Sequence, residues 1–372
     1  MIPVCEPAFF GKEKEYVQEC MDTNWISSLG RFVPLFEKAF SGFIGTKHGI
    51  ACSNGTSALY LAYASLGIGP GDEVIIPNLS NIASANSVIL SGAKPVLVDI
   101  EEPSMGIDAS KIEEKITSKT KAILVVHLYG HPCDMDAILE ITKKHNLLLV
   151  EDCAEAHGAS YKGKKVGSFG DASAWSFYSN KILMTGEGGM VLTDSADVEK
   201  EARLIRDLGF TEPRFHHSVL GFNYRMTNIQ AAIGYAQVEC VDAILAKKKA
   251  LKALYDGLLA DVPGIRVQGA ADWAEPVLWM YVIFLEDSFG MTPKELMGVL
   301  KEKGIDSRPL FYPFHRQPLY VKGEDDRYPN CEGDFPVSDK VSETGLYLPS
   351  GINLTEEQVG TIVDALKEAS KA

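Results

Sequence analysis

Leu147-Leu148-Leu149-Val150-Glu151-Asp152-Cys153-Ala154-Glu155 carries an apolar run directly into three acidic residues. The run reads as a strand buried on both faces. In an open α/β sheet, ligands bind beyond the carboxyl ends of such strands, so the acids stand at the edge where chemistry is done. A carboxylate there can hold a protonated pyridine nitrogen, the contact that makes pyridoxal phosphate (PLP) an electron sink. Alone, the segment reads equally as a solvated acidic turn. Asp152 is the favoured candidate because it lies just beyond the apolar run, with Glu155 three residues on.

The same texture extends to either side. Apolar runs at 50–52, 74–76, 95–98 and 122–126 alternate with segments of helical period at 57–66, 83–90, 112–116 and 135–145. Such alternation builds an α/β fold with a mostly parallel central sheet sandwiched by helices. Two further strands, at 172–177 and 189–193, follow each other without a helix between them. Residues 227–259 predict one long helix or two joined ones. Beyond Pro263-Gly264, a strand at 278–285, a helix at 294–302, a Pro- and aromatic-rich stretch at 309–320 and a closing helix at 355–369 predict a smaller C-terminal α+β domain. The expected division is a large domain over 1–240, then the connecting helix and small domain over 241–372.

Two more segments carry chemistry. Ser53-Asn54-Gly55-Thr56-Ser57 sits where a strand ends and a helix begins. Gly55 lets the backbone approach closely, and the free N–H groups of a first helical turn, backed by the helix dipole, cradle phosphate. Alone, the pentapeptide is better read as a plain turn with an Asn or Ser N-cap. Ser176-Phe177-Tyr178-Ser179-Asn180-Lys181, followed by Thr185-Gly186-Glu187-Gly188-Gly189, places Lys181 on a Gly-rich loop between two core strands. A lysine taken out of water loses basicity and can act as a Schiff-base nucleophile; most loop lysines are simply exposed. Together the three segments supply, in order, the handles that PLP requires: phosphate, ring nitrogen and aldehyde carbon.

These segments, with Trp25-Ile26-Ser27-Ser28, GPGDEVIIP (69–77), HLYGHPCDMD (127–136), GFNYRMTNIQAAIG (221–234) and SRPLFYP with His315, resemble the DegT/DnrJ/EryC1/StrS family of sugar aminotransferases over nearly the whole chain. The resemblance implies the fold-type-I PLP aminotransferase architecture. It implies transamination of a keto sugar carried by a nucleotide, with an amino acid donor, glutamate in the family, in a ping-pong sequence. Lys181 is then the Schiff-base lysine and proton shuttle, and Asp152 the partner of the ring nitrogen. Gly55, Thr56 and Ser176 bind the phosphate, joined by Asn223 from a second subunit of a homodimer with shared active sites. Glu155 stands where relatives place a polar side chain beside the ring. Trp25, Ser28, Arg225 and His315 are weaker candidates for substrate contacts, with interface packing the alternative for Trp25 and Arg225.

Three positions depart from the family pattern. Asn81 stands where an aromatic usually stacks on the cofactor, Ser179 where Gly is common, and Met184 where Thr is common. His216 and His217 near the NYR motif read as surface residues or as shapers of specificity. A sugar dehydratase on the same fold is the rival enzyme; relatives of that kind replace the lysine with histidine, which Lys181 argues against. A PLP-fold regulator without turnover is the rival from another class.

Bulk properties narrow the field. Of 372 residues, 46% are hydrophobic and 23% charged, an ordinary globular balance. The net charge of −14 disfavours nucleic acid as a partner. The start lacks a secretory pattern and no apolar run suits a bilayer, so no membrane role is expected. Seven scattered cysteines without CxxC pairs predict free thiols, no metal site and a cytoplasmic setting.

Overall fold

The computed structural model describes residues 1–213, 215–321, 331 and 333–371. Two helices, α1 (Glu13–Asp22) and α2 (Phe32–Ile44), lead into the sheet. Strands and helices then alternate: β1 (His48–Cys52), α3 (Gly55–Ser65), β2 (Glu73–Pro77), α4 (Ile82–Leu90), β3 (Lys94–Val98), β4 (Thr120–Val126), α5 (Met135–His145), β5 (Leu148–Asp152), β6 (Ala172–Ser176), β7 (Gly189–Thr193) and α6 (Ala196–Arg206). The seven strands lie in the order β1-β7-β6-β5-β4-β2-β3. Only β7 runs against its neighbours; the others share one direction.

The continuous apolar runs reflect cover on both faces of the sheet. Val74, Ile76, Leu124, Val126 and Val150 enter one hydrophobic cluster, whereas Ile75, Ile123, Val125 and Leu149 enter the cluster on the opposite face. That split follows the two-residue period of a strand. The edge strand β1 is held by Glu37 of α2. Its carboxylate accepts the Ala51 N–H at 2.8 Å and pairs with Arg203 and Arg206 of α6, each at 3.0 Å.

The chain at 112–116 departs from expectation. It forms two 3₁₀ turns, Ala109–Lys111 and Glu113–Lys115, rather than a helix. Ile112 is buried, but the acidic and basic residues after it face water, and Ile116 is already extended with ψ 128°. One anchoring side chain cannot hold a longer helix against the sheet. The acidic strand end also differs in detail: β5 continues through Glu151 to Asp152, so Asp152 is the last residue of the strand.

Residues 227–259 form two joined helices, α7 (Asn228–Glu239) and α8 (Val241–Leu259), broken at Cys240. Beyond them lie β8 (Ile265–Val267), β9 (Tyr281–Leu285), α9 (Pro293–Glu302), β10 (Arg308–Pro309), α10 (Pro336–Thr344), β11 (Gly345–Leu348) and α11 (Glu356–Ala369). The second sheet is antiparallel in the order β8-β9-β11-β10. Leu251, Tyr255 and Leu259 of α8 join Leu296, Leu300, Val359 and Ile362 in a separate hydrophobic cluster. The strand expected over 278–285 is shorter because Trp279 turns out of it: its N–H bonds to the Val277 carbonyl, and Lys248 of α8 takes its own carbonyl at 3.2 Å. Among the described residues, no helix is long and apolar enough to cross a membrane.

Candidate active site

A cavity of about 490 Å³ opens at the carboxyl ends of β5 and β6, beside the start of α3. Gly55, Thr56, Asp152, Glu155, Ser176 and Lys181 all line it. Six residues separated by up to 126 positions are thus brought to one place.

The α3 start is organised by a capping box. The Asn54 side chain accepts the Ser57 N–H at 2.9 Å, and the Ser57 hydroxyl accepts the Asn54 N–H at 3.1 Å. The N–H groups of Gly55 and Thr56 precede any intrahelical partner, which leaves them available to an anion. A Cβ at position 55 would stand 2.8 Å from the Cβ of Ser176, so glycine is what lets the helix begin against the end of β6.

Asp152 is buried, and its carboxylate is oriented. One oxygen accepts the Ser84 hydroxyl of α4 at 2.8 Å, and the other accepts the Ala154 N–H at 3.1 Å. Burial raises its pKa; Ser84, Ala154 and the Lys181 charge only partly oppose this. Among the described residues no cation lies within ion-pair distance of it. A buried carboxylate in this state is stabilised by a cationic group brought into the cavity, which is what a protonated pyridine offers. The donor set therefore fits PLP.

Lys181 stands on the loop between β6 and β7, with its side chain 10% exposed. The loop is closed by Phe177 N–H to the Gly188 carbonyl at 2.8 Å and by the Thr185 hydroxyl to the Glu187 carbonyl at 2.6 Å. The Lys181 amine lies 3.7 Å from Glu155 and 3.9 Å from the ring centroid of Trp279. Burial lowers its pKa, against the pull of Glu155 and Asp152. Burial pushes Glu155 up to about 7 in spite of Lys181; its other oxygen accepts the Tyr129 N–H at 2.9 Å. The site thus holds a less basic amine beside a less acidic carboxyl.

The remaining candidates do not line this cavity in the single chain. Trp25 is 55% exposed and Ser28 half-buried, on the segment before α2. Asn223 is exposed; Arg225 bridges to the end of β1 at Cys52 and pairs with Asp207. His315 has its Nδ1 2.8 Å from the Asn78 amide and its Nε2 3.5 Å from Asp339. Asn81 lines the cavity and caps α4 by accepting the Ala83 N–H at 3.0 Å. Ser179 borders a narrow cleft next to it, and Met184 is buried. His216 and His217 lie on a small exposed hairpin with Phe210 and Thr211.

Sequence reasoning missed Ser84, Trp279 and Tyr129. Asn54 and Ser57 carried a local signal, a capping pair three residues apart. His127, Glu151 and Cys153 also cluster, with potential ligand atoms within 4.8 Å. Hydrogen bonds already occupy the first two. Glu151 accepts from the Gly167, Phe169 and Gly170 amides and from His127, whose Nδ1 accepts the Cys133 N–H at 3.1 Å.

With this geometry in hand, the comparisons are direct. The sequence pattern of the DegT/DnrJ/EryC1/StrS aminotransferase family matches residues 9–367. The chain is 48% identical to a GDP-perosamine synthase of Caulobacter vibrioides, covering 99% of this chain and 98% of that protein. It is 42% identical to one of Escherichia coli O157:H7, with the same coverage. Among solved structures, DesV of S. venezuelae, in complex with a ketimine intermediate, superposes with a TM-score of 0.89 at 34% identity over 99% of both chains. The molecule is a PLP-dependent aminotransferase in fold and site. It belongs to the DegT/DnrJ/EryC1/StrS aminotransferase family.

Proposed function

We propose that this aminotransferase acts on a nucleotide-linked 4-keto-6-deoxy sugar, converting GDP-4-keto-6-deoxy-D-mannose to GDP-perosamine with L-glutamate as donor. The observation that carries this reading is full-length similarity to GDP-perosamine synthases at 39–48% identity, joined to one cavity that holds both Lys181 and Asp152.

When bound, PLP supplies an electron sink that lets an amino group pass from the donor to the keto sugar. Asp152, set by Ser84, would hold the ring nitrogen. The α3 amides of Gly55 and Thr56 and the Ser176 hydroxyl would hold the phosphate. Lys181 would hold the aldehyde carbon and would move the proton at the donor's Cα; burial makes its amine less basic than an ordinary lysine, which favours the neutral form a base requires. Glu155, which stands beside that amine, would lie beside the ring. Asn223, Arg225, Trp25 and Ser28 serve the site of a second copy, as His315 serves the sugar end. The exposed side chains of Trp25, Ile26, Leu29 and Leu220 support a homodimer, since large apolar groups in water mark an interaction surface. We further place the domain division near residue 240, at the Cys240 break, and the enzyme in the cytoplasm.

Lys181→Ala is the decisive variant. It should retain cofactor while turnover falls at least about 10³-fold, because both the covalent anchor and the proton shuttle are lost. Mass spectrometry of products from 4-keto and 3-keto nucleotide sugars, with glutamate and PLP, reads it out. Full turnover in this variant removes the assignment, and an aminated product from a 3-keto sugar alone moves the site of amination.

A further inference from the structure

The aromatic group that faces Lys181 comes from the other end of the chain. Trp279 lies in the bend just before β9, and the Lys181 amine stands 3.9 Å from the centroid of its ring. The indole Nε1–H donates to the carbonyl of Asn180 at 2.9 Å, on the residue that precedes the lysine. The Trp279 carbonyl is held in turn by Lys248 of α8 at 3.2 Å. Tyr129 stacks on the indole at 5.6 Å between centroids, and its N–H also fixes Glu155, the opposite neighbour of the amine. Tyr129 adopts φ +50°, so a residue in the left-handed region supports both walls around Lys181.

We propose that Trp279 is a positioning residue for Lys181: its indole face holds the charged amine over the cavity, and its N–H fixes the backbone from which the lysine reaches. This rests on reading Lys181 as the reacting amine. A cation over an indole face is attracted by the ring quadrupole, most strongly where water is excluded. Among the groups facing Lys181, Asp152 and Glu155 at the β5 end favour its charge, and neutral His157 lies near. Tyr178 and Glu187 of its own loop and Tyr347 of β11 complete the cavity wall, with Cys5 and Lys248 across the narrow cleft. Of these, Lys248 meets Trp279 only through that residue's backbone carbonyl, which a side-chain substitution keeps. Glu155 is tied to Trp279 through Tyr129, which stacks on the indole, so Trp279→Phe, which keeps a ring there, is the closer control.

The test uses the full-length, cofactor-free protein. Competitive acetylation of Lys181, read by peptide mass spectrometry across pH, gives the protonation midpoint of the amine. Trp279→Leu should lower that midpoint by about one pH unit, the size of a desolvated cation–π contact. Trp279→Phe keeps a weaker face and should lower it by less. An unchanged or raised midpoint in Trp279→Leu overturns the proposal. Should that variant fail to fold, an unchanged midpoint in both Trp279→Phe and Trp279→Tyr does so. Lys181→Ala that still turns over would sink the functional reading and leave this measurement standing.

Discussion

Two cavities of nearly equal size lie on either side of the segment that carries Trp279, one of about 490 Å³ and one of about 480 Å³. The second runs between α8 and the chain around Val267–Val282 and holds more lysines than the first. Lys248, Lys252 and Asp256 there are each met by near neighbours, however. Lys248 donates to the Trp279 and Ser350 carbonyls, Lys252 pairs with Asp256 at 2.6 Å, and the Tyr281 hydroxyl donates to the same Asp256 at 2.7 Å. In the first cavity, Asp152, Glu155 and Lys181 are gathered where burial works against the charge of each. Volume does not distinguish the two, and each holds a lysine that burial makes less basic. What sets the first apart is a buried amine gathered with two carboxyls whose acidity burial has weakened.

The sharpest way to break the comparison is to neutralise one acid in each cavity. Asp152→Asn should cut turnover by about two to four orders of magnitude, since a buried cation left without its carboxylate costs about 3–5 kcal/mol. Asp256→Asn in the second cavity should leave turnover unchanged. Steady-state kinetics with saturating PLP measures both, and equal losses in the two variants would erase the distinction.

A smaller effect separates the lysines. Burial pushes Lys248 down to about 8, so between there and the ordinary lysine range the folded chain binds fewer protons than the unfolded one. Stability should therefore rise with pH across that window, by roughly 3 kcal/mol from this group. Lys248→Met should remove the rise, in urea unfolding of the cofactor-free protein between about pH 8 and pH 10.4. Glu155 runs the other way. Its carboxyl is raised to about 7, so the folded chain binds more protons than the unfolded one from the usual carboxyl range up to that point. Stability from this group is full at the acid end and declines as pH rises to about 7, less steeply than burial alone would give because Lys181 opposes it. Glu155→Gln should flatten that decline.

Much of this contrast was legible in the chain, and the legible part is local. The sheet strands are apolar runs, the candidate phosphate cradle is a five-residue turn, and Asp152 and Lys181 each close or follow a core strand, so neighbours in sequence betray them. The illegible part depends on contacts between distant residues. Trp279 reaches a lysine 98 positions earlier, and Tyr129 holds Glu155 only because a left-handed residue aims its N–H there. The 112–116 segment misled because two isoleucines four apart match a helical period, yet only one of them is fully buried.

Ser84 provides the subtlest test of that division between local and distant signals. Nothing around it marks a functional residue: it is one small hydroxyl within an apolar helix, and its neighbour Ser80 shares a 3.0 Å hydrogen bond with it. Yet it donates to the Asp152 oxygen across 68 positions. A hydrogen bond to a charged acceptor contributes about 1.5–3 kcal/mol. Part of that loss in Ser84→Ala would be recovered, because Asp152 keeps the Ala154 N–H and the approaching ring nitrogen. The expected result is a rise in the PLP dissociation constant of about tenfold, near the lower end of that range, with the fold intact by thermal melting. Ser84→Thr keeps the hydroxyl and should restore binding. If Ser84→Ala binds PLP as tightly as the parent, the orientation of Asp152 comes from the strand end alone, and the sequence had already revealed all that positions it.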